Sequence, residues 1–306
     1  DDRGEGGLSK TARFVMFKKP FEEVARAEVF KAIETVTDRE STDAYRATAR
    51  PQRELLEEGL ETETDETEET TTRARKRKTT GPLIKTARYL GNKWGGKYLR
   101  APDIFFTILE KGKGKLQLLR ELCDVQGYIH DNNTGSKFPE VYFLRSVKDT
   151  NTILLTKESP GVFKYGVRET GNSRLVAPIL FPRTIGERHI VIWNREGVLG
   201  KEFYKIIPRH GVSEIIIVAQ LNSTLCILQR ELIGLVNLGS GGLKFSADDI
   251  GMFLLANTIP DRKIRDVFEK LAKRKMLVIE DEIHQPDRRA LDEVIFDVLG
   301  LTAGER

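Results

Sequence analysis

Residues 57–72, EEGLETETDETEETTT, carry eight acids, no base and a single leucine, and RARKRK follows directly at 73–78. Such a stretch cannot bury enough apolar surface to offset the entropy of ordering it, which predicts a flexible linker over 57–80. Folded structure must therefore form on either side of it. The basic run could grip phosphates, or it could simply neutralise the acidic tract beside it.

The linker leaves a short segment, 1–56, and a long one, 81–306. In the short segment ARFVMF (12–17) reads as a strand, and Pro20 opens a predicted helix to about Val36 with an apolar stripe of Phe21, Val24, Val29, Phe30 and Ile33. One strand and one helix are too little for a core, so this segment is expected to dock on another domain. The long segment has an α+β pattern. APDIFFTILEK (101–111) reads as a helix, and VYFL (141–144), TILLT (152–156), LVAPILF (175–181) and HIVIW (189–193) read as strands between turn-rich stretches. EIIIVAQLNSTLCILQRELIG (214–234) reads as a strand running into a buried helix whose start Asn222 or Ser223 could cap. Amphipathic helices are expected at 261–275 and 285–301.

No run of eighteen apolar residues could span a bilayer, so no membrane association is expected. DDRGEGGLSK at the start lacks the pattern of a secretory signal, which places the chain in the cytoplasm. The net charge of +4 conceals a division. Residues 81–209 hold 22 basic and 12 acidic side chains, an excess of +10, and such concentration is what an electrostatic footprint for nucleic acid requires. A merely solvated basic surface would give the same count.

Candidate chemistry is sparse. Cys123 and Cys226 stand far apart in apolar stretches, which suits buried reduced thiols, and His130, His189, His210 and His284 are scattered singly without metal-ligand spacing. Asp103 and Glu110 lie two helical turns apart, and Asp261 stands at a helix start, so capping explains these acids better than a nuclease metal site. No catalytic residue, metal ligand or cofactor-binding residue is assigned.

At GNKWGGKYLRAPDIFFTILEK (91–111) the sequence resembles the Trp-Gly-Lys-Tyr-Leu-Arg-Ala-Pro-Asp segment found just after the catalytic domain in adenine-specific DNA methyltransferases of type II and type IIG restriction-modification systems. LNSTLCILQRELIGLVNLGSGGLKF (221–245) is similar to that family's Asn-Ser-Thr helix and glycine loop, and DRRALDEVIFDVLGL (287–301) to its C-terminal helix. RFVMFKKPFEEV (13–24) resembles the strand and helix leaving the methyltransferase domain. GYIHDNNTGSKFPEVYF (127–143) departs from the family's pattern, keeping only Thr134-Gly135 and an aromatic pair.

The resemblance implies a target-recognition domain at 81–306. It would be non-catalytic, would bind double-stranded DNA and would work beside a methyltransferase domain of the same polypeptide preceding residue 1. S-adenosylmethionine would serve that parent enzyme and not this fragment. The chain itself has no Pro-Pro pair for a flipped adenine, and its glycine cluster Gly239-Ser240-Gly241-Gly242 suits a tight turn better than a cofactor loop. Expected DNA contacts are Lys93, Lys97 and Arg100, then Asn132, Asn133 and Lys137, then Arg168, Asn172 and Arg174, and finally Lys244 beside the glycine turn. Trp94 is expected to be a packing anchor. The alternatives are a protein-interaction or specificity-subunit-like module and, at greater distance, a cryptic metal-dependent nuclease.

Overall fold

The computed structural model describes residues 8–61, 88–89, 96–169, 176–236 and 242–306. The architecture is α+β, as expected, in two compact units divided between Pro102 and Asp103. That boundary falls inside the segment the sequence assigns to the recognition domain.

The first unit comprises β1 (Thr11–Phe17), α1 (Phe21–Val24), α2 (Ala27–Thr35), β2 (Arg39–Ser41), β3 (Tyr45–Pro51), α3 (Gln52–Gly59), β4 (Leu60–Glu61), β5 (Arg88–Tyr89) and α4 (Gly96–Arg100). The helix expected over 20–36 is two helices, with Arg26 extended between them. Val24 and Ile33 are nine residues apart, about 180° on a continuous helix, and the break lets both be buried. The unit is also not the lone strand and helix expected. β1, β3 and β2 form an antiparallel sheet, with Ile33, Val36, Tyr45, Ala47 and Ala49 as a small core of its own. The acidic tract does not begin as linker: residues 57–61 complete α3 and form β4, and 62–80 lie outside the described residues.

α4 carries the Tyr98 of the family-like segment onto this sheet. Its ring stacks on Phe14 at 5.6 Å between centroids, the Arg50 guanidinium lies over the same ring 5.2 Å from its centroid, and Arg46 Nη2 donates to the Leu99 carbonyl at 3.0 Å.

The second unit begins with α5 (Asp103–Lys111), β6 (Leu116–Leu118), α6 (Leu119–Leu122), β7 (Cys123–Gln126), β8 (Glu140–Leu144), β9 (Leu154–Leu155) and β10 (Val162–Gly166). It continues with β11 (Ile179–Pro182), β12 (Thr184–Ile185), β13 (Ile192–Asn194), β14 (Leu199–Gly200), β15 (Phe203–Pro208), α7 (Glu214–Leu221) and α8 (Thr224–Ile233). The C-terminal part holds β16 (Leu235–Val236), β17 (Leu243–Lys244), α9 (Ala247–Gly251), β18 (Leu254–Ala256), α10 (Asp261–Lys273), α11 (Ile279–Glu282) and α12 (Pro286–Leu299). The main sheet runs β7-β15-β11-β13-β9, and α7, α8, α10 and α12 supply the helical side of its core.

The strand expected at 214 is instead helix α7, which meets α8 at a bend of 64°. Ile215, Ile216, Ile217 and Val218 favour strands intrinsically, but a largely apolar helix is stable when most of its surface is buried, as at Ile215, Ile217, Val218, Ala219 and Leu221. Asn222 forms the corner. Its amide accepts the Val191 N–H at 3.0 Å and donates to the Val191 and Val218 carbonyls at 2.7 and 2.8 Å, while Ser223 caps α8 through the Cys226 N–H. Gln220 and Gln229 then each pair with both backbone groups of one residue, Ala256 and Leu254, so side chains substitute for a neighbouring strand beside β18. Among the described residues no single helix is long and apolar enough to cross a membrane; the α7–α8 pair meets the length and composition only as a bent pair, and it is buried in the core.

Candidate nucleic-acid interface

The smaller sheet β10-β8-β14 departs from the rule that one face is buried. β8 and β10 pair with Phe163 opposite Phe143, Lys164 opposite Tyr142 and Tyr165 opposite Val141. Because side chains alternate, Val141, Phe143, Phe163 and Tyr165 share one face and Tyr142 and Lys164 the other. Phe143 packs with Ile129, Val167 and Leu199, yet Phe163 and Tyr165 beside it remain 44% and 37% exposed. The three rings lie 5.4 to 5.7 Å apart. On the opposite face Tyr142, 37% exposed, has Lys157 and Lys164 at 5.2 and 5.8 Å from its ring centre. Aromatic faces interleaved with lysines are suited to bases and phosphates.

The loop before β8 is fastened to the end of β10. Asp131–Asn133 form one 3-10 turn, Gly135 N donates to Gly166 O at 3.0 Å, and Arg168 N donates to Asn133 O at 2.9 Å. Arg168 Nη1 also donates to Asn133 Oδ1 at 3.4 Å. Gly166 is required here, since a Cβ would sit 2.1 Å from the Gly135 carbonyl oxygen. The Lys201 ammonium pairs with Asp131 and holds that carboxyl below its ordinary value, tying down the other side of the turn.

Four expected contacts are thus brought together. Asn132, Lys137 and Arg168 are exposed and Asn133 half-buried, with Lys137 at 5.1 Å from the Phe138 ring centre. Arg100 is exposed but belongs to the first unit, and Lys97 lies in the same helix α4. Lys244 is exposed on the central strand of a different sheet, β12-β17-β16. Lys93, Trp94, Asn172 and Arg174 lie outside the described residues, as does most of the glycine cluster. The sequence reading took VYFL as a strand, without assigning its faces, and did not single out Tyr142, Phe163, Tyr165, Lys157 or Lys164. The alternation in VFKYG (162–166), with a lysine between two aromatics, is the signal that marks them.

The basic surplus of 81–209 is not all surface. Lys205 is buried within β15, and burial pulls its ammonium down to about 8. Arg183 lies 4.1 Å from the Tyr128 ring centre, Arg209 pairs with Asp124 at 3.1 Å, and Arg195 with Glu214 at 3.5 Å. Lys137, Lys148, Lys157, Lys164, Arg168 and Arg188 make no ion pair among the described residues.

The residues considered for chemistry have structural partners. His189 is fully buried, and burial first, then Arg230, pull its pKa well below the ordinary range. Since a carbonyl only accepts, the His189 Nε2–H donates to Leu221 O at 2.7 Å, and Nδ1 faces Arg230. Asp261 pairs with Arg265 one turn along α10. Cys123 and Cys226 are buried free thiols, and burial pushes each up to about 12. β16 and β17 pair antiparallel, and residues 237–241 between them lie outside the described residues.

No protein-family model and no curated protein sequence matches the chain. Among solved structures it is similar to the type IIG restriction endonuclease BpuSI, at 10% identity and a TM-score of 0.46, covering 95% of this chain and 47% of that one. It is also similar to a chain from a type I R-M system, at 13% identity and a TM-score of 0.32 over 68% of this chain and 52% of that one. The HsdS subunit from Thermoanaerobacter tengcongensis is similar at 13% identity and a TM-score of 0.33, over 67% of this chain and 52% of that one. The chain therefore spans about half the length of the solved structures it matches.

Proposed function

We propose that this chain is the sequence-reading portion of an adenine-specific DNA methyltransferase of a restriction-modification system, and that it binds duplex DNA without performing chemistry itself. One observation carries the reading: Asn133 and Arg168 are held together by two hydrogen bonds at the end of a sheet that exposes aromatic rings and unpaired lysines. Arg and Asn on a rigid support are the side chains that read guanine and adenine edges, and lysines beside them supply sequence-independent grip. The sequence resemblance across 91–111, 221–245 and 287–301 supplies the parent activity. S-adenosylmethionine would be held by a methyltransferase domain of the same polypeptide. The glycine cluster follows a predicted helix in the sequence, whereas a cofactor turn follows a strand and opens a helix.

The test is titration of the chain with duplex DNA at several salt concentrations. Binding that weakens with salt by about 0.9 in log K per log salt for each phosphate engaged supports the reading. Absence of salt-sensitive binding would overturn it in favour of a protein partner meeting Phe163 and Tyr165. Metal-dependent nicking would return the chain to nuclease chemistry.

A further inference from the structure

An open cleft of about 510 Å³ lies where the turn Val147–Asp149 after β8, the loop carrying Arg188 and the segment linking α10 to α11 come together. Three cations line it, Lys148, Arg188 and Lys275, with two carboxylates, Asp149 and Asp281. The Asp149 carboxylate is occupied, accepting the Ser146 N–H at 3.1 Å to close the turn. Lys148 and Lys275 are exposed and make no ion pair among the described residues. Arg188 is positioned by Nη1, which donates to the Thr150 carbonyl at 3.3 Å and leaves the rest of its fork of donors for a ligand. Thr150 also lines the cleft; it is 2% exposed, and its hydroxyl has no partner among the described residues. The walls are firm on the side of β10, because a Cβ at Gly161 would lie 2.2 Å from the Asp149 carbonyl oxygen. With the Asp149 carboxylate engaged in its turn, the three cations outnumber the one remaining carboxylate, Asp281, and such a surplus in a cleft favours an anion.

We infer that this cleft holds a backbone phosphodiester of bound duplex DNA, an assignment that rests on the DNA reading above. The 130–139 loop precedes β8 and the cleft follows it, so the five residues of β8 separate the two sites. That is roughly 17 Å of strand, or about five base-pair rises, which puts the contact outside the bases the loop reads. A phosphate contact carries no sequence information, so losing it weakens all sequences alike.

The experiment compares the full chain with Lys148→Ala/Lys275→Ala, titrating each with a recognised and a scrambled duplex across salt. Both lysines are exposed, and equal melting temperatures confirm that the variant is folded. Loss of one phosphate contact makes the salt slope shallower by about 0.9 and weakens binding roughly eight-fold near 0.1 M salt, on both duplexes. Arg188→Lys, which keeps the charge and loses the fork, is expected to fall between. If the parent chain binds duplex and the double variant keeps its slope, this inference falls and the DNA reading stands. A loss confined to one sequence overturns it too, by making the cleft a base-reading site. If the parent chain binds no duplex, the DNA reading falls and this inference with it.

Discussion

The Asp292 carboxylate of α12 accepts both the backbone N–H of Thr224, at 2.8 Å, and the Thr224 hydroxyl, at the first turn of α8. Two of the family-like segments meet at this contact, which ties the start of α8 to α12. Asp292→Ala would leave a buried N–H and hydroxyl unpaired and is expected to cost about 2–3 kcal/mol. Thr224→Val removes only the hydroxyl bond and is expected to cost about 1 kcal/mol. Denaturant unfolding of both variants checks the order, and an Asp292→Ala midpoint equal to that of the parent would refute the structural role.

Glu282 is buried between two guanidiniums, with Arg274 at 2.6 Å and Arg288 at 3.2 Å, while Arg288 Nη1 and Nη2 are buried with no partner among the described residues. Breaking such a pair from one side leaves a buried charge, so Glu282→Gln is expected to lose about 3–5 kcal/mol. Arg288→Met should be far milder, since Glu282 keeps Arg274 and two unsatisfied donors disappear. Thermal melts of the two variants side by side make the comparison.

The same cluster sets an acid limit. Burial alone would raise the Glu282 and Asp287 carboxyls, but hydrogen bonds from Arg274 hold both below their ordinary values of 4.5 and 3.8. Depressed folded values mean stability that is present above the ordinary values and is lost as pH falls through the folded ones. Asp292 acts in the opposite sense, because burial raises its carboxyl despite the Thr224 bonds. Melting temperature should therefore decline on acidification below about pH 4.5, and Arg274→Gln should flatten that decline.

Gly166→Ala would place a methyl group against the Gly135 and Phe138 carbonyls, at 2.1 and 2.6 Å. The loop must shift, at a cost of about 1–3 kcal/mol, while the main sheet is untouched. Discrimination between DNA sequences is expected to collapse with non-specific binding retained, which competition titrations would show. Arg168→Ala should lose discrimination at one or two base positions, about 1–3 kcal/mol, whereas Lys164→Ala should weaken every duplex alike.

With both thiols buried and raised to about 12, Cys123 and Cys226 should react with a thiol reagent only as fast as the chain unfolds. Reaction at native-state rates comparable to free cysteine would contradict the packing.

Periodicity alone determined much of this molecule. The 3.6-residue stripes of 103–111, 261–273 and 286–299 and the short apolar runs of 12–17 and 141–144 specify elements whose types need no partner to be read. The residue types of 130–139 likewise marked a polar, turn-rich stretch. Tertiary structure decided the rest. The β-branched run at 215–218 became helix because Ile215, Ile217 and Val218 are buried in the core with Ile216 packed against it, and Lys205 left the basic surface because its strand lies inside the main sheet, between β7 and β11. Only pairing of β8 with β10 put Asn133 beside Arg168 and left Phe163 and Tyr165 uncovered. Local sequence sets which face of an element is apolar, but which faces find a cover depends on contacts between residues far apart in the chain.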